Sequence, residues 1–398
     1  MSFVNKPLTD IMDCVRASTA TYVDATGKIR TAGVNEPRID YSSGQGRLLV
    51  EEARTNLLTW SEDFTHSSWT NNSVGITVSS NVALAPDGTM SADKIIPDSV
   101  DSTHILRQYT SVTDGVTYTQ SYYVKAGGYN IIRVLTSTGF SGGGECFINI
   151  ATGEVISNTF SSPPTVVLLS GGWVRVSVTA TASDTTLIGR FQLYPITTPD
   201  PTGDGTSGIY IWGAQLEAGS GASSYIKTEA SAVTRAADNV SRVLGDEFNE
   251  SEGTFYIKLN PINILSGSGY GRLISVTDGT NNNRISIQWR LSATNGKIDI
   301  RPVVSKNGTV FVGLINTIDI GEVILVVRYN NESIDIITKD VQSTLDISSV
   351  NTFTSLNLLV INGLTDAIGA VHGIVEFDNF KHYPKALSDI ECEELTRI

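Results

Sequence analysis

Apolar and polar residues alternate with a period of two through much of this 398-residue chain. Thr117-Tyr118-Thr119-Gln120-Ser121-Tyr122-Tyr123-Val124, Trp173-Val174-Arg175-Val176-Ser177-Val178 and Arg284-Ile285-Ser286-Ile287-Gln288-Trp289 follow that rhythm, which predicts strands with one face buried. Turn signals stand between such runs: Pro86-Asp87-Gly88, Thr113-Asp114-Gly115, Thr152-Gly153, Asp278-Gly279-Thr280-Asn281 and Asn295-Gly296. This punctuation predicts antiparallel sandwiches. A helical pattern is confined to the C-terminal end, where Ser388-Asp389-Ile390-Glu391 forms a capping box ahead of Ile390-Glu391-Cys392-Glu393-Glu394-Leu395. The expected fold class is all-β, two antiparallel β-sandwiches with an extended N-terminal arm and one short C-terminal helix.

The domain organisation follows from where the strand series break. Residues 1–55 carry short apolar clusters among Gly, Asp, Pro and the basic residues Arg30, Arg38, Arg47 and Arg54, too few to close a core. They are expected to form an arm packed on something else. Residues 56–228 hold a first sandwich and 239–398 a second. Between them, 229–238 is a small-residue stretch expected to be a linker. No fixed-period repeat, heptad array or low-complexity tract is visible.

Composition narrows the function. Charged residues are 17% and hydrophobic residues 40%, the balance of a folded chain. Net charge is −13, which opposes nucleic acid and anionic bilayers as partners. No apolar run approaches the roughly 20 residues of a membrane span, and Met1-Ser2-Phe3-Val4-Asn5-Lys6 lacks an apolar signal core, so a soluble chain without conventional secretion is expected. Cys14, Cys146 and Cys392 lie far apart without a CxxC pair, which excludes a disulfide framework or thiolate zinc site and leaves them as packing residues. His66, His104, His372 and His382 form no HExxH and no evident Ser/His/Asp arrangement.

Arg16-Ala17-Ser18-Thr19-Ala20-Thr21-Tyr22-Val23-Asp24, Glu36-Pro37-Arg38-Ile39-Asp40-Tyr41 and Leu48-Leu49-Val50-Glu51-Glu52-Ala53-Arg54-Thr55-Asn56-Leu57-Leu58 together resemble the N-terminal portion of bacteriophage tail and appendage proteins. Trp60-Ser61-Glu62-Asp63-Phe64 and Trp69, with Trp212-Gly213-Ala214-Gln215-Leu216-Glu217-Ala218-Gly219, Ser224-Tyr225-Ile226 and Thr234-Arg235-Ala236-Ala237-Asp238, are similar to the opening and closing of the carbohydrate-binding-module jelly roll found in those proteins. Gly373-Ile374-Val375-Glu376-Phe377-Asp378-Asn379-Phe380 followed by Tyr383-Pro384-Lys385-Ala386-Leu387-Ser388 resembles the last strand and tail of laminin-G or concanavalin-A-like lectin domains. The resemblance implies a virion protein made in the bacterial host cytoplasm. It implies a tail fibre, tail spike or head fibre, commonly a homotrimer, whose arm fastens to other virion proteins and whose sandwiches meet host-surface glycans. Removing residues 1–55 is then expected to leave a soluble protein that no longer joins particles. No cofactor is required; a structural calcium of the kind held by such jelly rolls would fall on Glu62, Asp63 and Glu217, which otherwise read as surface or capping residues.

Lectin-like sandwiches bind sugars by stacking an aromatic ring on the pyranose while amides and carboxylates bond its hydroxyls. Trp69, Tyr129 and Phe140 are the loop candidates; a concave strand face would favour Tyr123 and Arg133; Trp173 and Trp212 read as core. In the second sandwich, Gly267-Ser268-Gly269-Tyr270-Gly271-Arg272 is polar and glycine-rich. Asp278 with Asn281, Asn282 and Asn283 supplies oxygens for a sugar or calcium, or else a solvated hairpin turn. Glycoside hydrolysis needs two facing carboxylates, for which Glu376 and Asp378, alternating on one strand, are the candidates, whereas Asp246-Glu247-Phe248-Asn249-Glu250-Ser251-Glu252 reads as a solvated charge run. The expected function is a non-enzymatic virion component presenting glycan-binding domains. A decoration protein without sugar binding and a capsule-degrading glycosidase are the alternatives. With a charge of −13, approach to an acidic glycan needs a local basic patch or divalent cations.

Overall fold

The computed structural model describes residues 12–397 apart from 72, 101–103, 137–138, 184–190, 195–201, 247, 265–269, 293–295, 315, 350–355 and 362–372. Among the described residues the chain is all-β, with antiparallel sheets paired into two sandwiches. In the first, a seven-stranded sheet centred on Thr117–Gly127, Val174–Ala182 and Gly208–Ala218 faces a four-stranded sheet centred on Ile131–Thr136 and Glu145–Asn149. Period two sets what each face buries. Tyr122, Val124, Val174, Val176 and Val178 point between the sheets, with Ile132, Val134, Cys146 and Ile148 opposite. Tyr123, Arg175 and Ser177 therefore lie on the outer face of the larger sheet.

The second sandwich pairs an eight-stranded with a seven-stranded sheet around Phe255, Ile257, Ile287, Trp289, Leu325 and Phe377. The expected N-terminal arm does not stand apart. Asp13–Val15 joins one edge of the eight-stranded sheet by pairing with Asn239–Val243, while Arg47–Val50 pairs with Gly373–Tyr383 in the opposite sheet, with Ile39–Asp40 beyond it. Met12, Leu48 and Val50 enter the second core. From residue 12 the chain thus runs along the edges of the second sandwich, leaves to build the first, and returns.

The exit and return run side by side. Arg54–Asn56 pairs antiparallel with Val233–Arg235, so the stretch expected to be a linker is one arm of a two-stranded stem from which the first sandwich is inserted. Beside the stem lies a buried ionic cluster. Asp238 accepts from Arg16 Nη1 at 2.7 Å and from Arg38 Nη2, Glu51 accepts from Arg38 Nη1 at 2.6 Å, and Arg235 Nη2 lies 3.5 Å from Glu51; all five side chains are at most 1% exposed. Arg16 spends its remaining donors on the carbonyls of Ser18, Gly33 and Glu36, and Glu51 N–H donates to Asp238 Oδ2 at 2.9 Å. Three arginines thus share two carboxylates; the Nε–H groups of Arg38 and Arg235 are left without partners, and the Nη contacts carry the pairing that a buried ion needs.

The C-terminal helix Asp389–Thr396 forms where its capping box predicts, with Ser388 Oγ accepting from Glu391 N–H and the Glu391 carboxylate accepting from Ser388 N–H. Cys392 and Leu395 pack on Tyr256, Val326 and Ile337. Cys14, Cys146 and Cys392 are all free thiols. Among the described residues no helix is long and apolar enough to cross a membrane.

Two outcomes test this architecture. Deleting residues 1–55 removes Leu48 and Val50 from the second core and three members of the ionic cluster, so the truncated chain should aggregate or lack a cooperative melt by circular dichroism. A soluble fragment with a sharp transition would contradict the insertion. The second outcome concerns pH. Burial alone would raise the Glu51 carboxyl, but Arg235, Arg38 and hydrogen bonds from Ser224 overcome it and bring it from 4.5 to about 2. Such a depressed carboxyl contributes stability that is complete above about pH 4.5 and is lost as pH falls toward about 2. Urea midpoints should drop across that window. Glu51→Gln should flatten the drop while costing about 3–5 kcal/mol at neutral pH, because it leaves buried cations unpaired.

Candidate functional site

A cavity of about 200 Å³ opens between the two sandwiches, on the outer face of the first sandwich's larger sheet. Four pieces of chain meet there. The first sandwich supplies Tyr123, Arg175 and Ser177, with Thr165 and Val167 from the neighbouring strand. The N-terminal hairpin supplies Thr21, Val23 and Ile29; the second sandwich's edge supplies Asp40, Leu49 and Glu51; and residues 220–225 form the lip.

Aromatic packing shapes one wall. Tyr123 and Trp212 are neighbours across their paired strands, with ring centroids 5.4 Å apart, and Tyr225 packs 4.5 Å from Trp212 and 6.0 Å from Tyr123. Trp212 Nε1 donates to Ser91 Oγ and Trp173 Nε1 to the Leu84 carbonyl, so both indoles lie beneath the wall rather than in the opening. A β-bulge between Trp212 and Gln215 makes room for the rings. Gly213 occupies it at φ +62°, where a Cβ would lie 2.9 Å from the Tyr123 ring and 3.2 Å from the Tyr225 ring.

The lip is held by the motif residues around that bulge. Glu217 accepts from Ser223 N–H at 2.8 Å and Ser223 Oγ at 2.6 Å, and Gln215 Nε2 donates to Glu217 while its Oε1 accepts from Ile226 N–H. Asn56 donates to the carbonyls of Ala214 and Ile226. Glu51 accepts from Ser224 N–H at 2.8 Å and Oγ at 2.6 Å, and Thr21 Oγ1 donates to the Tyr225 carbonyl. Segments 170 to 204 residues apart in sequence, from the N-terminal signature stretches and the closing one, meet here.

The polar groups at the cavity differ in what they have left to offer. Asp40 already accepts from Val23 N–H and from the Ser42 amide and hydroxyl, and Glu51 is wrapped by Arg38 and Ser224. Arg175 is less committed. Its guanidinium stands 5.2 Å from the Tyr123 centroid and donates through Nη2 to Ser121 Oγ at 3.0 Å, while its buried Nε–H has no hydrogen-bond partner. The arrangement offers a ring edge, a cationic donor and hydroxyls within a volume below the roughly 300–1,000 Å³ of drug-sized sites.

Of the residues singled out in the sequence, Tyr123 lines this cavity and Glu217 holds its lip. The others lie elsewhere. Trp69, expected on a loop, is fully buried on the short helix Ser67–Thr70, packed 5.0 Å from Phe64 with Nε1 donating to the Trp60 carbonyl. Phe140 is likewise buried in the first core, and Tyr129 packs against that core. Arg133 sits on the other sheet, paired with Glu145 at 2.6 Å and over Phe147, so it does not share a face with Tyr123.

Asp278, Asn281 and Asn283 spend their side chains on the hairpin. Asp278 accepts from Thr280 and Asn283, Asn281 Oδ1 from Arg272, and Asn283 Oδ1 from Asn307 N–H. Gly267, Ser268 and Gly269 lie outside the described residues. The expected calcium ligands diverge: Glu62 bonds Tyr225 and Lys227, Asp63 caps Thr65, and Glu217 faces Ser223. Among the described residues no cluster of three His, Cys, Asp or Glu could hold a metal ion.

The candidate carboxylate pair is also tied up. Glu376 is fully buried, bonded by Asn260 at 3.1 Å and paired with Arg47 at 3.5 Å; burial pushes its carboxyl up. Asp378 is the extra residue of a bulge, and pairs with Lys258 at 3.2 Å. The residues sequence reasoning missed were Arg175, Asp40 and the 220–225 lip. Arg175, a charge within an apolar alternating strand, was their one visible signal.

No family model matches the chain, and no curated protein matches it. Among solved structures it is similar to domains LG4–5 of the mouse laminin α1 chain, at 11% identity over 73% of this chain and 90% of that one, with a TM-score of 0.24. A crystal structure of HCR/D-Sa-GBL1/C is similar at 10% identity over 94% and 99% of the two chains, with a TM-score of 0.19. What the cavity does is therefore argued from its own geometry.

Gly213→Ala should cost about 1–3 kcal/mol through its left-handed backbone, with the ring contacts adding to that. Thermal denaturation with near-ultraviolet circular dichroism reads both, and an unchanged melt with an unchanged aromatic signal would show that the bulge does not set the wall.

Proposed function

We propose that this chain is a non-enzymatic structural component of a phage appendage, a tail fibre, tail spike or head fibre, that recognises a host-surface glycan in the cavity between its sandwiches. The observation that carries the recognition reading is the cavity itself, where an aromatic wall meets an arginine with an unspent donor. Saccharide sites combine those two elements, because a ring shields the apolar face of a sugar while fixed donors select its hydroxyls. Support for the appendage reading comes from the signature residues. Arg16, Arg38, Glu51, Asn56, Gln215, Glu217 and Asp238 hold the lip and the stem, so the motif and the cavity are one construction.

From residue 12 onward the N-terminal segment is spent within the molecule, its hairpin of Ala20–Val23 and Ile29–Ala32 against the first sandwich and Asp13–Val15, Ile39–Asp40 and Arg47–Val50 in the second, so in this proposal attachment to other virion proteins uses the outer surfaces of the sandwiches. Assembly as a homotrimer rests on the resemblance. A structural calcium, if the protein takes one, uses a set other than Glu62, Asp63 and Glu217. The non-enzymatic reading is favoured by the carboxylates at the cavity, both committed to structural hydrogen bonds, and by the buried Glu376. A purely architectural role is the second reading, favoured by the heavy investment of the same residues in the stem.

The test is binding of the full chain and of Arg175→Ala to a panel of bacterial surface glycans, with reducing-end release followed in the same wells. Binding without release, weakened about tenfold in the variant as expected for loss of a charged hydrogen bond, supports the proposal. Release of reducing ends overturns the non-enzymatic part. Absence of binding moves the assignment to architecture.

A further inference from the structure

The outer face of the first sandwich's larger sheet is packed over at the cavity end, where Ile29 of the N-terminal hairpin meets Tyr123, Trp173 and Trp212. Further along the same strands it is open. Ile95, Ile209, Ile211 and Val124 enter the core between the sheets, so Lys94, Tyr210 and Lys125 point away from it. Strand pairing sets these three side by side: Tyr210 stands opposite Lys94 on Ala92–Pro97 and opposite Lys125 on Thr117–Gly127. Ser79 continues the row beyond Lys94. Ser79, Lys94, Tyr210 and Lys125 are all half-exposed, as is Ile96 beside them, and Thr77 is exposed, so solvent reaches the whole row.

The ring lies between two cations that carboxylates have not claimed. Gly127 leaves room for it, since a Cβ there would lie 3.2 Å from Tyr210 Cε2 and 3.3 Å from Lys94 Cε. The Lys94 ammonium stands 5.7 Å from the ring centroid, within cation–π range, and spends one of its three donors on the Thr206 carbonyl at 2.9 Å. Among the described residues Lys125 makes no hydrogen bond or ion pair, and Lys94 has no carboxylate partner. The acids next to the row in sequence are occupied by backbone N–H groups. Asp93 faces the other side of the sheet and accepts from Phe64 and Asn81, and Asp204 accepts from Thr206 and Ser207.

We infer that Lys94, Tyr210 and Lys125 form a second binding site that takes a sugar unit carrying a carboxylate, a uronic acid residue. None of the three lines the cavity, so the site stands apart from it. The apolar face of the sugar lies on the Tyr210 ring, and its carboxylate accepts from the ammonium groups on either side. Lys94 and Lys125 stand on the two strands flanking Tyr210, roughly 9.5 Å apart at Cα, a span that two four-carbon stems close around one anionic group. Charge selects this occupant. In a chain of net charge −13, a carboxylate at the row supplies the counter-charge that the protein's own acids do not, whereas a neutral sugar leaves both ammonium groups unanswered.

The experiment titrates the full chain with trigalacturonate and with its neutral galactose counterpart, with inorganic phosphate as a competitor, for the wild type, Lys125→Gln, Lys125→Arg, Tyr210→Ala and Arg175→Ala. The wild type and Arg175→Ala should bind trigalacturonate in preference to the neutral trisaccharide, and more weakly as NaCl rises from about 0.05 to about 0.3 M. Lys125→Gln should lose about fivefold in affinity with an unchanged thermal midpoint, because its head group has no partner to lose, while Lys125→Arg keeps the charge and most of the binding. Tyr210→Ala should lose a similar factor through the missing ring. If that variant lowers the midpoint, the Lys125 pair decides. No binding by the wild type, equal binding of acidic and neutral trisaccharides, or wild-type affinity in Lys125→Gln overturns the site. Phosphate that competes as well as trigalacturonate, mole for mole of charge, overturns the sugar assignment. Loss of binding in Arg175→Ala alone would place the acidic sugar in the cavity and overturn this site without touching the cavity reading.

Discussion

Five ionised side chains sealed from water hold the two sandwiches to one another. Arg16, Arg38, Glu51, Arg235 and Asp238 come from four stretches of chain, and their charges are balanced against one another while backbone groups and Ser224 supply further hydrogen bonds. Moving one such charge out of water costs several kcal/mol, so the cluster tolerates no partial assembly. That constraint propagates outward. Glu51 also fixes Ser224 and with it the cavity's lip, and Asp238 receives the backbone N–H of Glu51 at the return of the stem. The stability of the fold and the shape of its cavity therefore depend on the same interaction.

The local elements were legible in the sequence. Alternation marked the strands, and the capping box at Ser388 marked the helix. The topology was not, because the residues that encode it are charged. Arg16, Arg38 and Asp238 among small residues look like a solvated arm and linker, while in the structure they are among its most buried side chains. Burial of an ion depends on a partner some 200 residues away, which no local window contains. Trp69 failed in the opposite direction. Its neighbours His66, Ser67, Ser68 and Thr70 suggest an exposed loop, yet a lone large apolar side chain in a polar run is what such a segment has to bury. Tyr123, expected on a concave strand face with Arg133, lies instead on the outer face of the larger sheet where the cavity opens, and its neighbour Arg175 needed the cross-strand register to be seen.

The cavity groups are almost fully satisfied internally and leave a few directed donors, a design for selecting one small group. In a chain of net charge −13, the cavity's uncommitted donor is the Nε–H of Arg175, which no carboxylate has claimed. Most of the ion pairs serve the stem, the hairpins and the sheet edges.

The stem has a consequence for biosynthesis. The strand Arg47–Val50 cannot find its neighbour until Gly373–Tyr383 has been made, and Arg47 pairs with a glutamate 329 residues further along. At translation rates of about 5–20 residues per second, that interval lasts roughly 16–66 s. For all of it the nascent chain carries an unpaired β-edge with Leu48 and Val50 uncovered, while the inserted sandwich has time to fold. Ribosome-bound chains of this protein thus present a long-lived substrate for holding chaperones, and slowing translation lengthens the exposure instead of relieving it.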